Sequence, residues 1–191
     1  MSELPPPREA QTLVVAVRPG PASWFPGPDG SPQGIDHDLI ERFARERNLP
    51  LTVVAVPDAE ALLERVAAGE AHVGIGGLYR PPSGKAPGDP KSARVPVLWT
   101  SGYETTEAVV ICANDGFRPR GWKDLAGSDV AYAAGSGIES TFARVRRDHP
   151  EVRWKPMDAA SGDVLMSMVD EGSVTCAVVS SFDAMIGRNI Y

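Results

Sequence analysis

The sequence has few cysteines and no long apolar stretch. Cys112 and Cys176 are the only cysteines in 191 residues, and each lies within an apolar run typical of a strand. Two cysteines without histidine neighbours make no metal site, and buried thiols are favoured over a disulfide. Because no apolar run approaches about 18 residues, no segment is predicted to span a membrane.

The sequence also lacks a basic segment. It contains 19 Lys and Arg against 25 Asp and Glu, which gives a net charge of −6 at pH 7. This balance argues against nucleic acid and anionic membrane surfaces as partners and favours a small molecule or another protein. The first residues, Met1 to Arg8, have no apolar signal core, so residues 1–11 are predicted to be a disordered leader.

No motif for a nucleotide or a catalytic nucleophile is present. Gly74 to Gly77 does not have the spacing of a dinucleotide fingerprint, and there is no Walker loop. The three histidines, His37, His72 and His149, are scattered and have no Ser or Cys partner at a typical spacing. We therefore predict no catalytic residue, no cofactor and no metal in this chain.

The clearest local pattern is the helix start at Gly34 to Leu39. The glycine permits a tight turn, Asp36 is placed to cap the helix, and Asp38 adds a second acid to its first turn. Apolar residues then recur at helical spacing. The face predicted to pack on a sheet consists of Ile35, Leu39 and Phe43, with Ile40 and Ala44 beside them.

The order of elements is repeated along the chain. Each half contains strand, helix and strand, and then a helix that ends at a glycine, Gly69 or Gly172. This pattern predicts an α/β protein of two lobes, each a mostly parallel sheet built from right-handed βαβ units with flanking helices. The predicted bounds are 12–105 for lobe 1, 106–181 for lobe 2 and 182–191 for the start of a return to lobe 1.

These features resemble the family 3 extracellular solute-binding proteins, two-lobed receptors for amino acids. The resemblance spans residues 13 to about 181. It is carried by the aromatic loop before Gly34 to Leu39, by Gly76-Gly77-Leu78, by Arg94 about nine residues before Tyr103, and by Trp122 to Gly127 leading to Gly135-Ser136. It implies a periplasmic monomer with the type II periplasmic-binding-protein-like fold and a small-molecule ligand. Because the family returns to lobe 1 after the position of Ser181, most of that return is expected to be missing here.

A narrower resemblance lies in the second half. His149 to Lys155 and the stretch from Met157 to Gly172 are similar to the ligand-binding domain of a group of periplasmic lytic transglycosylases, in which this domain precedes a lysozyme-like catalytic one. The resemblance implies a non-catalytic domain that recognises an amino acid or a peptidoglycan-derived peptide and regulates such an enzyme. Two alternatives are the receptor of an ABC amino-acid importer, whose partner is a membrane permease, and a clamshell-fold cyclic-acid dehydratase.

The family resemblance also implies a ligand site. A guanidinium suits the carboxylate of an amino acid; Arg94 holds the family position, and Arg80 is a rival because a long insertion precedes Arg94. Backbone amides at a helix opening would complete the anion site. Ser180 departs from the family, which usually has an Asp there for the ligand's ammonium. The implied site residues are Trp24, Phe25, Gly77, Tyr79, Arg80, Arg94, Gly135, Ser136, Gly137 and Ser180.

Overall fold

The structure, a computed structural model, describes residues 3–20, 23–79, 97–114, 116–158 and 160–187. They form two compact units. The first contains residues 3–20, 23–78 and 97–101, and the second contains Tyr79 together with the described residues from Gly102 to Gly187. Each unit has its own sheet with flanking helices. The predicted two-lobed α/β fold is therefore confirmed.

The first unit is built around one buried strand. Its elements in chain order are α1 (Pro7–Ala10), β1 (Leu13–Val17), β2 (Phe25–Pro26), β3 (Pro32–Gln33), α2 (Ile35–Glu46), β4 (Leu51–Ala55), α3 (Ala59–Ala67) and β5 (Val73–Ile75). Strands β4, β1 and β5 form a parallel sheet in that order, while β2 and β3 form a short antiparallel pair. All five residues of β1 are buried because helices cover both faces of the sheet.

Helix α2 buries only part of the predicted face. Ile40 and Ala44 pack against β1 as predicted, and Asp36, one turn before Ile40, is also buried. The Asp36 carboxylate accepts a hydrogen bond from Gly77 N–H at 3.0 Å, which turns the Asp36 side of the helix towards the sheet. The other three residues of the predicted face, Ile35, Leu39 and Phe43, are 42%, 46% and 41% exposed.

The predicted leader packs on the first unit in its described part. Residues Pro7–Ala10 form the short helix α1. Leu4 N–H donates to Gly69 O at 2.9 Å, and the Leu4 side chain lies against the cluster that contains Leu62. The structure thus differs from the expectation of a disordered segment, because backbone hydrogen bonding and an apolar contact hold residues near the start of the chain.

The second unit has a mixed sheet of four strands. Its elements in chain order are β6 (Ala108–Cys112), β7 (Asp129–Ala133), α4 (Ala143–Asp148), β8 (Arg153–Met157), α5 (Gly162–Asp170), β9 (Cys176–Ser180) and α6 (Ser181–Gly187), with 3-10 turns at Trp122–Leu125 and Ile138–Ser140. The strand order is β6-β9-β7-β8. Strand β7 is parallel to β8 and β9, whereas β6 is antiparallel to β9.

Helix α6 belongs to the second unit. The sequence predicted that residues 182–191 begin a return to lobe 1. The described part of this segment instead continues directly from β9 as a helix, and Gly187 lies against the Met166 sulfur of α5. A side chain at residue 187 would collide with Met166, so glycine permits the close approach of α6 to α5.

The two cysteines form a disulfide. Of the two alternatives that the sequence left open, the less favoured one is therefore found. Cys112 ends β6 and Cys176 begins β9, and the antiparallel register places them directly opposite each other with 4.2 Å between their Cα atoms. Since 64 positions separate them in the sequence, only the pairing of β6 with β9 brings them together. Within the part of the chain that the structure describes, no helix is long and apolar enough to cross a bilayer.

Candidate functional site

Both sheets expose polar groups where their parallel strands end. In open α/β sheets, ligands bind outside the carboxyl ends of the strands, because loops and helix starts converge there. In the first unit these ends are followed by Arg18 after β1 and by Gly76-Gly77 after β5. In the second unit they are followed by Gly135 to Gly137 after β7 and by Ser181 after β9. Each of the two edges is described by itself.

Arg18 is a basic residue at the first edge that the sequence analysis missed. Its backbone N–H donates to Ile75 O at 3.0 Å, and its side-chain Nε donates to Gly76 O at 3.0 Å. The side chain is half-buried. The available signal was its position, since a charged residue follows immediately after the five apolar residues from Leu13 to Val17.

Asp36 and Gly77 bind each other at the same edge. Asp36 was predicted to cap α2, but the residue at the cap is Gly34, with no side-chain capping bond. Asp36 is 4% exposed, and its carboxylate accepts the Gly77 N–H. The Gly77 amide, one of the predicted ligand contacts, is therefore engaged inside the unit and holds the turn after β5 in place.

The predicted aromatic residues pack against the first unit. Trp24 is half-buried, lies against the cluster around β1 and meets the His37 ring edge-on with 5.0 Å between ring centroids. Phe25 lies in β2 opposite Gln33. Their contact with a ligand stays a prediction. The two predicted guanidinium ligands, Arg80 and Arg94, lie outside the described residues.

The turn after β7 does not open the predicted helix. A 3-10 turn begins at Ile138, and the α-helix begins only at Ala143. Gly135 N–H donates to the Glu139 carboxylate at 3.2 Å, and the buried Ser136 hydroxyl donates to Ala133 O at 2.9 Å. The Gly135 amide is therefore engaged by an internal carboxylate, and the contact of this turn with a ligand stays a prediction.

A carboxylate lies next to Ser180, the position at which the resemblance implies an Asp in the family. Ser180 is 1% exposed; its hydroxyl donates to Asp183 Oδ2 at 2.8 Å and accepts the Asp183 N–H at 2.9 Å. The Tyr79 hydroxyl donates to the same Oδ2 at 3.3 Å. Thus Ser180 caps α6 and orients an acid from its first turn. A Cβ at Gly162 would lie 2.6 Å from Asp183 Cγ, so the glycine gives this side chain its space.

The described residues at the two edges do not form a metal site. Among the described residues, no group of three or more His, Cys, Asp or Glu side chains is placed to hold a metal ion. The polar groups present are a guanidinium, hydroxyls, carboxylates and backbone amides. Such groups bind and orient a charged organic molecule through hydrogen bonds and ion pairs.

Comparison with curated proteins finds relatives along almost the whole chain. No protein-family model matches it. The chain is 30% identical over 187 residues to membrane-bound lytic murein transglycosylase F of Thiobacillus denitrificans, covering 98% of this chain and 38% of that protein. It is 27% identical over 197 residues to the protein of the same name from Maricaulis maris, covering 98% and 41%. The chain therefore spans well under half the length of these relatives.

Comparison with solved structures finds the same fold. The arginine-binding protein ArgBP from T. maritima in its holo form superposes with a TM-score of 0.72 at 20% identity, covering 95% of this chain and 75% of that one. The ancestral amino acid-binding protein AncCDT-1, described as a precursor of cyclohexadienyl dehydratase, gives 0.76 at 18% identity, covering 96% and 76%. Together with the curated relatives, these matches confirm the resemblance found in the sequence: the chain has the fold of the family 3 solute-binding proteins and is similar to the solute-binding domain of lytic murein transglycosylase F.

Proposed function

We propose that this chain is a non-catalytic, periplasmic solute-binding domain that recognises an amino acid or a peptidoglycan-derived peptide and regulates a lytic transglycosylase. The observation that carries the proposal is the similarity to lytic murein transglycosylase F over 98% of the chain, in a fold shared with amino-acid-binding proteins. The regulated activity belongs to the longer proteins, of which this chain matches 38% and 41%.

The charged groups among the described residues suit a zwitterionic solute. An amino acid or peptide end presents a carboxylate and an ammonium, and each needs a partner of opposite charge when water is excluded. Groups of both kinds are present, the Arg18 guanidinium and the Asp183 carboxylate beside Ser180.

The disulfide supports the proposed location. Disulfides form and persist in oxidising compartments such as the bacterial periplasm and are rare in the cytosol, where thiols are kept reduced. The Cys112–Cys176 bridge joins two paired strands of the second sheet. Expression in the periplasm is expected to give the oxidised protein.

Regulation requires the solute to distinguish two states. A bound solute shifts an equilibrium only by the difference in its affinity for the two conformations, and the coupling is reciprocal. The proposed output is therefore a change in transglycosylase rate when the solute binds. Measured on the full-length protein with purified peptidoglycan, the rate is expected to change as solute is added, with the same half-saturation as binding.

Calorimetry and thermal unfolding test the binding role directly. We expect at least one member of a panel of amino acids and peptidoglycan peptides to release or absorb heat on mixing and to raise the midpoint of thermal unfolding. At a concentration one hundred times its Kd, a solute stabilises the folded protein by about 2.7 kcal/mol. No response to either panel would contradict a solute-binding role.

A second candidate is the receptor of an amino-acid importer. A substrate-binding protein of an amino acid ABC transporter shares the fold with a TM-score of 0.71 at 20% identity. The gene beyond this chain discriminates between the two functions. A following lysozyme-like domain supports the transglycosylase role, whereas a stop codon after the remainder of lobe 1 supports the importer role.

A third candidate is a cyclic-acid dehydratase, because one structural neighbour is described as the precursor of such an enzyme. This reaction would need an acid or base placed to move a proton of the substrate. An absorbance assay with prephenate and arogenate tests it. Turnover above that of an Asp183→Asn control would replace the non-catalytic proposal.

A further inference from the structure

We propose that His72 is a pH-sensitive switch. Its neutral imidazole holds the N-terminal segment, residues 3–12, against the first unit, and its protonation in acid releases that segment. The inference goes beyond solute binding and does not depend on it. It rests on three hydrogen bonds of one residue at the start of β5.

His72 binds both polar backbone atoms of Val14. The His72 N–H donates to Val14 O at 2.9 Å, and the imidazole Nδ1 accepts the Val14 N–H at 3.0 Å. Val14 lies in β1, the central strand of the first sheet, and is 9% exposed. The ring therefore satisfies a backbone amide that has little access to water, where an unpaired N–H is costly.

The other ring nitrogen of His72 binds the N-terminal segment. Nε2 lies 2.9 Å from Pro5 O. Residues 5–7 are all proline and have no backbone N–H to donate. The Leu4 N–H donates to Gly69 O at 2.9 Å, and the Leu4 side chain packs on the cluster that contains Leu62. The bond to Pro5 O is thus one of the few contacts that hold this end of the segment.

The two partners of the ring determine its protonation state. The Val14 N–H can only donate, so Nδ1 has to accept and carries no hydrogen. Pro5 O can only accept, so Nε2 has to carry the hydrogen. Both hydrogen bonds form together only when the imidazole is neutral. A proton added at Nδ1 would face the Val14 N–H at 3.0 Å, and neither group could accept.

The other two histidines have the opposite kind of partner. His37 Nδ1 lies 2.8 Å from the Asp38 carboxylate, and His149 Nδ1 lies 2.9 Å from that of Glu151. A carboxylate at this distance stabilises a protonated ring. In the part of the chain that the structure describes, no carboxylate lies within 4.0 Å of the His72 ring. Acid therefore strengthens the contacts of His37 and His149 and opposes those of His72.

The elements around His72 carry few charges that could alter this response. Strand β1 has none. The charged residues on the N-terminal segment and around the end of α3 are Glu3, Arg8, Glu9, Glu64, Arg65 and Glu70. Between these six residues and the ring, the structure shows neither a hydrogen bond nor an ion pair. The response of the ring is thus governed by its two backbone partners.

Protonation is expected to free the segment and leave the sheet intact. The repulsion at Val14 N–H turns the ring away from β1, and Nε2 then no longer reaches Pro5 O. Beyond these two bonds, β1 is paired along its length with β4 and with β5. The start of the segment keeps only the Leu4 contacts, which involve one backbone hydrogen bond. Histidine changes charge between about pH 5 and pH 8, so the release is expected in that range.

Amide hydrogen exchange, measured by NMR on the whole chain, tests the switch. The Leu4 N–H reports on the segment, and the Val56 N–H, which donates to Val17 O at 2.8 Å, reports on the core of the same unit. From about pH 8 to about pH 5 we expect the protection factor of Leu4 to fall about 5- to 30-fold, as for loss of one or two hydrogen bonds. The protection factor of Val56 is expected to change by less than about twofold.

A scalar coupling across the hydrogen bond between the Val14 amide nitrogen and Nδ1 reports on the switch itself. We expect the coupling at about pH 8 and its loss at about pH 5. Both measurements use the wild-type protein, so they do not depend on whether a variant folds.

Two variants separate His72 from other titrating groups. In His72→Asn, the side-chain oxygen can still accept the Val14 N–H, but no donor reaches Pro5 O and nothing in the side chain titrates. We expect weak protection of Leu4 at both pH values, with Val56 protected as in wild type. His37→Gln removes the other histidine of the first unit and is expected to retain the wild-type pH dependence.

Three results would overturn the switch. One is a Leu4 protection factor that does not change with pH in the wild-type protein, and another is an equal pH dependence in His72→Asn. The third is a parallel loss of protection at Leu4 and Val56, because acid would then open the whole unit and not release the segment alone. Each of these results leaves the proposed solute-binding function untouched, since none of them involves a solute.

Discussion

The carboxyl edges of the two sheets differ in how their polar groups are used. In the second unit they bind one another: Gly135 N–H is bound by Glu139, and Ser180 and Tyr79 donate to Asp183. In the first unit Gly77 N–H likewise donates to Asp36, but the Arg18 side chain makes a single hydrogen bond, to a backbone carbonyl. A ligand gains the full value of a group that is already oriented and open, and less from one that must first leave an internal partner.

The charged groups at the two edges differ in sign and in surroundings. The Arg18 side chain is held by one hydrogen bond to Gly76 O and has no carboxylate partner among the described residues. The Asp183 carboxylate instead accepts from two hydroxyls, and hydroxyl hydrogens rotate to suit a new partner.

The two units also differ in how their sheets are held together. The first sheet has three parallel strands joined by backbone hydrogen bonds and packing, whereas the second has a disulfide between β6 and β9. The four tryptophans are divided between the units, Trp24 and Trp99 in the first and Trp122 and Trp154 in the second, so a background that keeps only one pair reports on one unit. The predictions below use this arrangement.

Removal of the disulfide should have the largest effect, and only in the second unit. Closing a chain segment of 64 residues lowers the free energy of folding by about 4 kcal/mol in the chain-entropy model. We expect the Cys112→Ser, Cys176→Ser double variant to lose roughly that much stability in denaturant unfolding followed by Trp122 and Trp154 fluorescence. An equal loss in the transition reported by Trp24 and Trp99 would contradict the separation of the units.

Matched leucine-to-alanine substitutions in the core compare α3 and α5, which hold corresponding places in the repeated order of elements. Leu62 in α3 and Leu165 in α5 are each the fourth residue of a nine-residue helix, and they are 0% and 1% exposed. Leu62→Ala and Leu165→Ala should each cost about 3 kcal/mol in free energy of unfolding, from lost burial and a residual cavity. Each loss is expected in the transition of its own unit; Leu39→Ala, at a side chain that is 46% exposed, is the control with a much smaller cost.

Removing the residues at the helix caps should lower the free energy of unfolding by less than the core substitutions do, and by different amounts in the two units. Asp58 caps α3 by accepting the Ala61 N–H at 2.8 Å, whereas Ser161 at the start of α5 makes no side-chain capping bond. Asp58→Ala should therefore cost about 1 kcal/mol in free energy of unfolding, and Ser161→Ala less than about 0.5 kcal/mol. Equal costs in denaturant unfolding would show that the Asp58 hydrogen bond adds nothing to the first unit.

Much of the fold was predictable because it depends on local pattern. Strand β1 matches the apolar run at 13–17, and the glycines that end α3 and α5, Gly69 and Gly172, have φ of +71° and +74°. The disulfide was not predictable, since it depends on pairing between strands 64 positions apart. The rotation of α2 was also missed, because the hydrogen bond from Gly77 to Asp36 spans 41 positions and adds a polar residue to the buried face.

Only part of the candidate site was predictable from the sequence. The sequence analysis singled out Ser180, but the acid that it orients, Asp183, required the geometry of the β9–α6 junction. Arg18 was overlooked because single charged residues after strands are common, and only its contact with Gly76 distinguishes it. The ligand contacts of Trp24 and Tyr79 stay predictions.

The smallest expected effects are in the pKa values of one exposed carboxyl in each unit. The hydrogen bond to the His149 side chain, 2.9 Å away, lowers the pKa of Glu151 from its ordinary value of 4.5. Hydrogen bonds from the Ser31 hydroxyl and amide lower the pKa of Asp29 from 3.8. Because each pKa is depressed in the folded state, the contribution to stability is present above the ordinary value and is lost as pH falls through the folded one. Carboxyl carbon NMR titration should show His149→Ala raising the pKa of Glu151 alone and Ser31→Ala raising that of Asp29 alone, whereas a change in both carboxyls from one substitution would mean that the two units are not independent in their electrostatics.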